Sequence, residues 1–161
     1  MRLALLGSIL VWAFGCGDSE PADVAGSYSL SLTNRANGCG FDNWMEGNTA
    51  SNIPLELMQD GSDVTGEVGG GAGLVLDIVL GSRTYIGEVH GSSIDMDIFG
   101  TNSLSEGNCS YTYNSSVHAN LDGDVLTGSI EYRAATNGNP DCSALEGCVS
   151  QQDFNGTRPP Q

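Results

Sequence analysis

The sequence contains no lysine, and only five arginines stand against 20 acidic residues in a chain of 161. The formal net charge is therefore -15. Proteins bind nucleic acids through Lys and Arg side chains that displace counterions, so this composition argues against a DNA or RNA partner. The same lack of cations leaves no polybasic patch to hold anionic lipid headgroups. Adaptation to high salt and a compositional bias of the genome explain the acidity equally well.

The sequence also lacks a long apolar segment. Its longest apolar run, residues 3–14, follows Arg2 and is short for a membrane-spanning helix but typical of a signal-peptide core. The run ends at residues 13–16 (AFGC), which resemble the lipobox of bacterial lipoproteins, where the cysteine receives diacylglycerol and becomes the new N-terminus. The same residues also fit an ordinary signal-peptidase site, which would leave Cys16 as a free thiol in a secreted protein.

The number of cysteines favours the lipid anchor. Removing Cys16 from the five cysteines leaves an even set, Cys39, Cys109, Cys142 and Cys148, which can form two disulfides in an oxidising compartment. Three pairings are possible. We predict a bond between Cys142 and Cys148, because only five residues separate them, and therefore a second bond between Cys39 and Cys109.

These features divide the chain into four parts. We predict a signal peptide (1–15), a flexible acidic tether (16–24), a β-barrel domain (25–158) and a short tail (159–161). After cleavage the acyl chains on the N-terminal cysteine would be the only attachment. This organisation predicts an exported protein, anchored by its lipid at the bacterial outer membrane or cell surface.

Apolar residues alternate with polar ones along most of the remaining sequence, as in Tyr28, Leu30 and Leu32. Period two is typical of half-buried antiparallel strands, and helix should be minor. The Asp-Gly pairs at 60–61 and 122–123 are strong hairpin signals, and His90-Gly91 is a weaker one. The pattern predicts nine strands, near 25–32, 53–59, 63–69, 73–80, 83–90, 92–99, 110–121, 124–134 and 150–158.

An up-and-down barrel needs an even number of strands for its first and last strands to pair antiparallel, so we expect one element between 63 and 90 to be miscounted. With eight strands, the Asp-Gly turns lie at one end and the cysteine-bearing loops at the other. Gly66, Gly87 and Gly128 fall in the middle of strands, which is typical of the sharp bends of a small barrel. The predicted fold is therefore all-β, an antiparallel meander closing into about eight strands, with a flat sandwich as the alternative.

The two ends of this domain resemble the lipocalin-like barrels. Gly26 and Tyr28 resemble the family's G-x-W opening, with tyrosine in place of the tryptophan, and Arg158 resembles the arginine of its last strand. The resemblance implies that Tyr28 closes the barrel floor and that the Arg158 guanidinium lies across its ring as a cation on a π face.

We therefore predict a non-catalytic barrel that binds a small apolar molecule reversibly. Seven residues are predicted to contact the ligand: Leu30, Leu57, Ile94, Met96, Val117, Ile130 and, in the first long loop, Trp44. The loop around Trp44 could equally be a plug over the barrel mouth. The alternative function is an envelope structural or interaction protein with a fully packed interior; a cavity of about 300 Å³ or more separates the two.

No catalytic residue, cofactor or metal site is predicted, and the oligomeric state is left open. The sequence has no G-x-S-x-G nucleophile motif. Asp95 and Asp97 lie two apart on one strand face and could share a cation, but a solvated outer face explains them better. His90 and His118 have no second ligand at zinc spacing. An enzyme would require a charged cluster inside the barrel.

Overall fold

The computed structural model describes residues 20–159. The predicted signal peptide (1–15) and Cys16 lie outside the described residues. The described chain forms, in order, β1 (Gly26–Asn37), β2 (Thr49–Asp60), β3 (Asp63–Val68), α1 (Gly70–Val79), β4 (Thr84–His90), β5 (Ser93–Ile98), β6 (Leu104–Glu106), β7 (Cys109–Asp122), β8 (Val125–Thr136), a 3-10 helix (Pro140–Cys142) and β9 (Val149–Thr157).

Eight of these strands form a closed antiparallel barrel. The order is β1-β2-β3-β4-β5-β7-β8-β9, and β9 pairs with β1 to close the ring, with Leu30 opposite Gly156. The short β6 is an extra strand that pairs with the beginning of β7, Glu106 opposite Cys109. The prediction of an all-β, eight-stranded barrel is confirmed.

The barrel interior is the hydrophobic core, because the alternation in sequence sets which face each side chain occupies. On β5, Ile94 and Met96 point inward and are buried. Asp95 and Asp97 between them point outward, where Asp95 contacts His118 and Asp97 accepts a hydrogen bond from the Ser116 hydroxyl. The two carboxylates thus lie on a solvated outer face.

The predicted strand at 73–80 is wrong, because this segment forms α1. β3 pairs directly with β4, Gly66 opposite Tyr85, so the segment between them has no free strand edge to join. A helix satisfies its backbone internally. This is the miscounted element, and its removal gives the even number of strands. In the part of the chain that the structure describes, no helix is long and apolar enough to cross a membrane.

Three tight hairpins lie together at one end of the barrel, which we call the closed end. Gly61, Gly91 and Gly123 each take the first central position of a two-residue turn with φ near +60° (64°, 60° and 60°), the arrangement of a type II′ turn. The predicted hairpins are confirmed. The loops 38–48, 99–103 and 137–148 and helix α1 lie at the opposite, open end.

The folded domain starts earlier than the predicted boundary at residue 25. The Ala22 amide donates to the Gly91 carbonyl (2.7 Å), and the Val24 amide donates to Gln59 Oε1 (2.8 Å). Val24 is completely buried. Burial of the apolar Val24 side chain stabilises the folded state, so the end of the predicted tether docks on the closed end of the barrel.

Both predicted disulfide pairings are wrong, although all four cysteines are bonded. Cys39 pairs with Cys148, and Cys109 pairs with Cys142. The pairing of neighbouring strands explains this result. Cys39 follows β1 and Cys148 precedes its neighbour β9, whereas Cys109 begins β7, whose neighbour β8 leads into the loop that contains Cys142. Neighbouring strands, rather than closeness in sequence, decide which cysteines meet.

Candidate functional site

The closed end has the arrangement that the lipocalin resemblance implies. The Arg158 guanidinium carbon lies 5.8 Å from the centroid of the Tyr28 ring. Arg158 also donates to Asp124 Oδ1 (3.1 Å) and to the Ala25 carbonyl (2.7 Å). A Cβ on Gly26 would come within 3.3 Å of Arg158 Cδ, so this glycine leaves room for the arginine. The predicted contact between Tyr28 and Arg158 is confirmed, and it closes the floor.

The barrel interior is packed rather than hollow. Its cavity measures about 30 Å³, room for roughly one water molecule and far below what a small-molecule ligand needs. The inward side chains of Tyr85 and Phe154, which sequence reasoning did not place, occupy much of the space. The prediction of a ligand site inside the barrel is therefore wrong. Six of the residues predicted to contact the ligand form the core instead: Leu30, Leu57, Ile94, Met96, Val117 and Ile130.

A larger space, the open-end cleft, lies at the mouth between α1 and the loop 38–48. Its volume is about 440 Å³, within the range of small-molecule sites. Of the seven residues that were predicted to contact a ligand, Trp44 alone lines this cleft. The lining residues are Asn34, Phe41, Asp42, Trp44, Val75, Leu76, Val79, Leu80, Tyr132 and Gln152.

Sequence reasoning missed the α1 side of this cleft. Val75, Leu76, Val79 and Leu80 follow the spacing i, i+1, i+4, i+5, which places them on one face of a helix. That period was the signal available in the sequence. Leu74, Leu76 and Ile78 in the same run also alternate with period two, which favours a strand.

Three aromatic rings form the opposite wall. Phe41 and Trp44 lie 5.7 Å apart between centroids with a 35° tilt. Tyr132 is nearly perpendicular to both rings, at 5.9 Å and 89° from Phe41 and at 6.1 Å and 86° from Trp44. The Trp44 indole donates to the Arg35 carbonyl (2.8 Å), which fixes the ring at the rim. The loop thus covers part of the mouth while leaving the cleft beside it.

The floor of the cleft is a set of polar groups that bond to one another. The Tyr132 hydroxyl donates to Gln152 Oε1 (2.9 Å), and Gln152 Nε2 donates to Asn34 Oδ1 (2.7 Å). Beneath them the Tyr85 hydroxyl bonds to the Ser115 hydroxyl (2.8 Å). This layer separates the cleft from the packed core.

Both phenols in this layer stay protonated at neutral pH. Burial raises the pKa of Tyr85 to about 12, against a smaller lowering by its bond to Ser115. One face of the Tyr132 ring lines the cleft, but its hydroxyl end lies deep, and burial together with the adjacent Tyr85 phenol raises its pKa well above 10. Neither phenol can serve as a base near neutral pH.

The cleft carries little charge. Asp42 is the one charged side chain that lines it among the described residues. The arginines nearby in sequence are already paired, Arg83 with Asp77 (2.8 Å) and Arg35 with Asp153 (2.6 Å). Within residues 20–159, no group of three or more His, Cys, Asp or Glu side chains is placed to hold a metal ion.

Comparison with known proteins adds one structural similarity. No family model and no curated protein matches the sequence. The chain is similar to a solved structure described as "Structure of EF1p2_mFAP2b bound to DFHBI", at 12% identity and a TM-score of 0.43. The match covers 84% of this chain and 93% of that one.

Proposed function

We propose that this protein binds a small, mainly apolar molecule in the open-end cleft. The observation that carries the proposal is the cleft itself, about 440 Å³ in volume, walled by three aromatic rings and by one face of α1. Concave sites with apolar walls and a few oriented polar groups are typical of small-molecule binding. The ligand lies above the polar layer, not in the barrel core.

The proposed mechanism is reversible binding without a chemical step. The cleft offers one exposed carboxylate, two side-chain amides and a phenol of raised pKa. Nucleophilic catalysis requires a nucleophile within hydrogen-bond reach of a base, and these groups do not supply that pair.

We also propose that the protein is exported and held at the bacterial outer membrane by a lipid on Cys16. Its two disulfides indicate an oxidising, exported environment. Glu20, four residues after Cys16, lies at the closed end beside Gln59 and Gly61. A lipid on Cys16, four residues before Glu20, would put the membrane on the side of the closed end and leave the cleft at the opposite end accessible.

Filling the cleft tests the binding proposal. A neutral apolar dye, N-phenyl-1-naphthylamine, should bind the folded domain and fluoresce more strongly. Val79→Trp places a large side chain in the cleft and should weaken dye binding by about 10-fold or more, the equivalent of about 1.4 kcal/mol. Ile86→Trp is the matched control, because Ile86 is 68% exposed on the outer wall and does not line the cleft.

Equal dye affinity in both variants would contradict the proposal. In that case the alternative function, docking of a protein partner, gains weight from the outer face of α1. Leu74 and Ile78 on that face are 57% and 73% exposed. The double variant Leu74→Ser/Ile78→Ser should leave dye binding unchanged if the cleft is the binding site. If the outer face of α1 is the binding site, the same variant should abolish docking of the protein partner.

A further inference from the structure

We propose that the ligand of the open-end cleft is a cation, an ammonium group carried on an apolar body. This inference rests on the proposed function and names the class of molecule that the cleft selects. Its positive group lies between the Asp42 carboxylate and the aromatic wall of Phe41, Trp44 and Tyr132. Three observations carry it: the aromatic rings that line the cleft, the sign of the charge at the cleft, and the apolar wall opposite.

The rings meet edge to face. Tyr132 stands at 89° to Phe41 and 86° to Trp44, with centroids about 6 Å away in each case. The face of an aromatic ring is partially negative and attracts a cation that lies within about 6 Å of its centroid. All three rings line the cleft, so an ammonium group bound there lies against an aromatic surface.

The charges at the cleft favour a cation and disfavour an anion. Asp42 lines the cleft beside the aromatic wall, whereas Arg35 and Arg83 are each held by a carboxylate, on Asp153 and Asp77. Among the residues that the structure describes, an anionic ligand would therefore meet one carboxylate and no unpaired arginine at the cleft. The net charge of -15 adds a long-range attraction for positive molecules.

The rest of the cleft suits an apolar body. Val75, Leu76 and Val79 face the rings across the cleft. The hydroxyl of Tyr132 and the amide of Gln152 already bond to each other, so the floor makes few hydrogen-bond demands on a ligand. Selectivity then rests on the charge of the ligand rather than on a hydrogen-bond pattern.

A pair of molecules of equal shape tests the inference. Benzyltrimethylammonium and neopentylbenzene differ in a quaternary nitrogen against a quaternary carbon, so only the charge changes. Binding is measured by Trp44 fluorescence, because the other tryptophan, Trp12, lies in the predicted signal peptide. We expect the cation to bind about 10-fold more tightly than the neutral molecule, in line with a partly desolvated cation–π site.

Two variants assign the effect to Asp42. Asp42→Asn keeps the shape and should lower the affinity for the cation about 5-fold while leaving the neutral molecule unaffected. Glu46→Gln removes the same charge from the same loop, away from the cleft lining, and is the matched control. Trp44→Leu, followed by calorimetry, should reduce the preference for the cation.

The outcomes separate the two proposals. Equal affinity for the charged and neutral molecules, or equal losses in Asp42→Asn and Glu46→Gln, overturns the cation inference and leaves the binding function standing if the dye still binds. Failure of the cation to bind while N-phenyl-1-naphthylamine binds also overturns it. If neither probe nor the dye binds the folded protein, both proposals fall together.

Discussion

Arg158, whose side chain is only 9% exposed, makes three contacts at the closed end. Arg158→Ala removes its bonds to Asp124 and the Ala25 carbonyl as well as the contact with Tyr28. We expect a loss of about 2 kcal/mol in the free energy of unfolding, measured with urea.

Arg35 provides the matched control for that measurement. Its ion pair with Asp153 is short, 2.6 Å, but both side chains are about half exposed. Solvent screens such pairs, so Arg35→Ala should cost less than about 1 kcal/mol. Equal losses in the two variants would show that Arg158 does not close the barrel floor.

Buried Tyr85 makes stability depend on pH in the alkaline range. Because its pKa rises from 10.0 in the unfolded chain to about 12 in the fold, the protonated phenol is the form that folding favours. Its contribution is fully present below pH 10 and is lost as the pH rises from 10 towards 12.

Comparison of the wild type with Tyr85→Phe isolates this effect. The difference in unfolding free energy between the two should shrink by about 1 kcal/mol between pH 9 and pH 11. Urea unfolding at each pH measures the difference, and absorbance at 295 nm follows the ionisation of the phenols. A difference that stays constant over this range would mean that Tyr85 titrates normally in the fold.

Among the strands, the close approach of β4 to β5 at Gly87 depends on the absence of a side chain. A Cβ there would lie 1.9 Å from the Asp95 carbonyl oxygen of β5. Gly87→Ala must therefore push β4 and β5 apart and should cost about 3 kcal/mol.

A glycine-to-alanine substitution in α1 should have the opposite effect on the free energy of unfolding. A Cβ on Gly71 meets nothing within 4 Å, so Gly71→Ala should stabilise the protein by about 0.5 kcal/mol by restricting the unfolded chain. Thermal unfolding of the two variants side by side tests both. A harmless Gly87→Ala would contradict the close approach of the two strands.

Local patterns explain which elements could be predicted from the sequence. Two features depend only on neighbouring residues, namely the alternation of Ile94 and Met96 and the turn at Gly61. The barrel and its hairpins could therefore be predicted. The run 73–80 fits either period, and it became a helix because the ladder left it no partner. The open-end cleft is formed by that helix and therefore could not be predicted, although Trp44 was predicted to contact a ligand from the first long loop.

Packing and pairing across strands explain the remaining errors. Whether the barrel was hollow depended on the inward volumes of Tyr85 and Phe154, which no local pattern reveals. The disulfides depended on which strands are neighbours. Cys39 follows β1 and Cys109 begins β7, and β9 and β8 separate these two strands in the ring.

At the scale of the whole molecule, the predicted lipid on Cys16 determines where the protein resides. Intact-mass analysis of the membrane fraction should show a mature chain beginning at Cys16 with acyl chains attached. Cys16→Ser should release the protein from the membrane with both disulfides intact. A wild-type chain that is soluble and begins at Cys16 with an unmodified thiol would contradict the lipid anchor.

Because β1 pairs with β9 and closes the ring, the chain could begin and end at a different hairpin without changing which strands are neighbours. Both ends of the domain lie at the closed end, where Ala22 contacts Gly91 and Arg158 contacts Asp124. A short peptide joining residue 159 to residue 22, with new termini between Gly91 and Ser92, would give a circular permutant that keeps the eight strand pairings of the ring. Such a permutant should fold with both disulfides and retain the cleft, since every loop of the open end stays uncut.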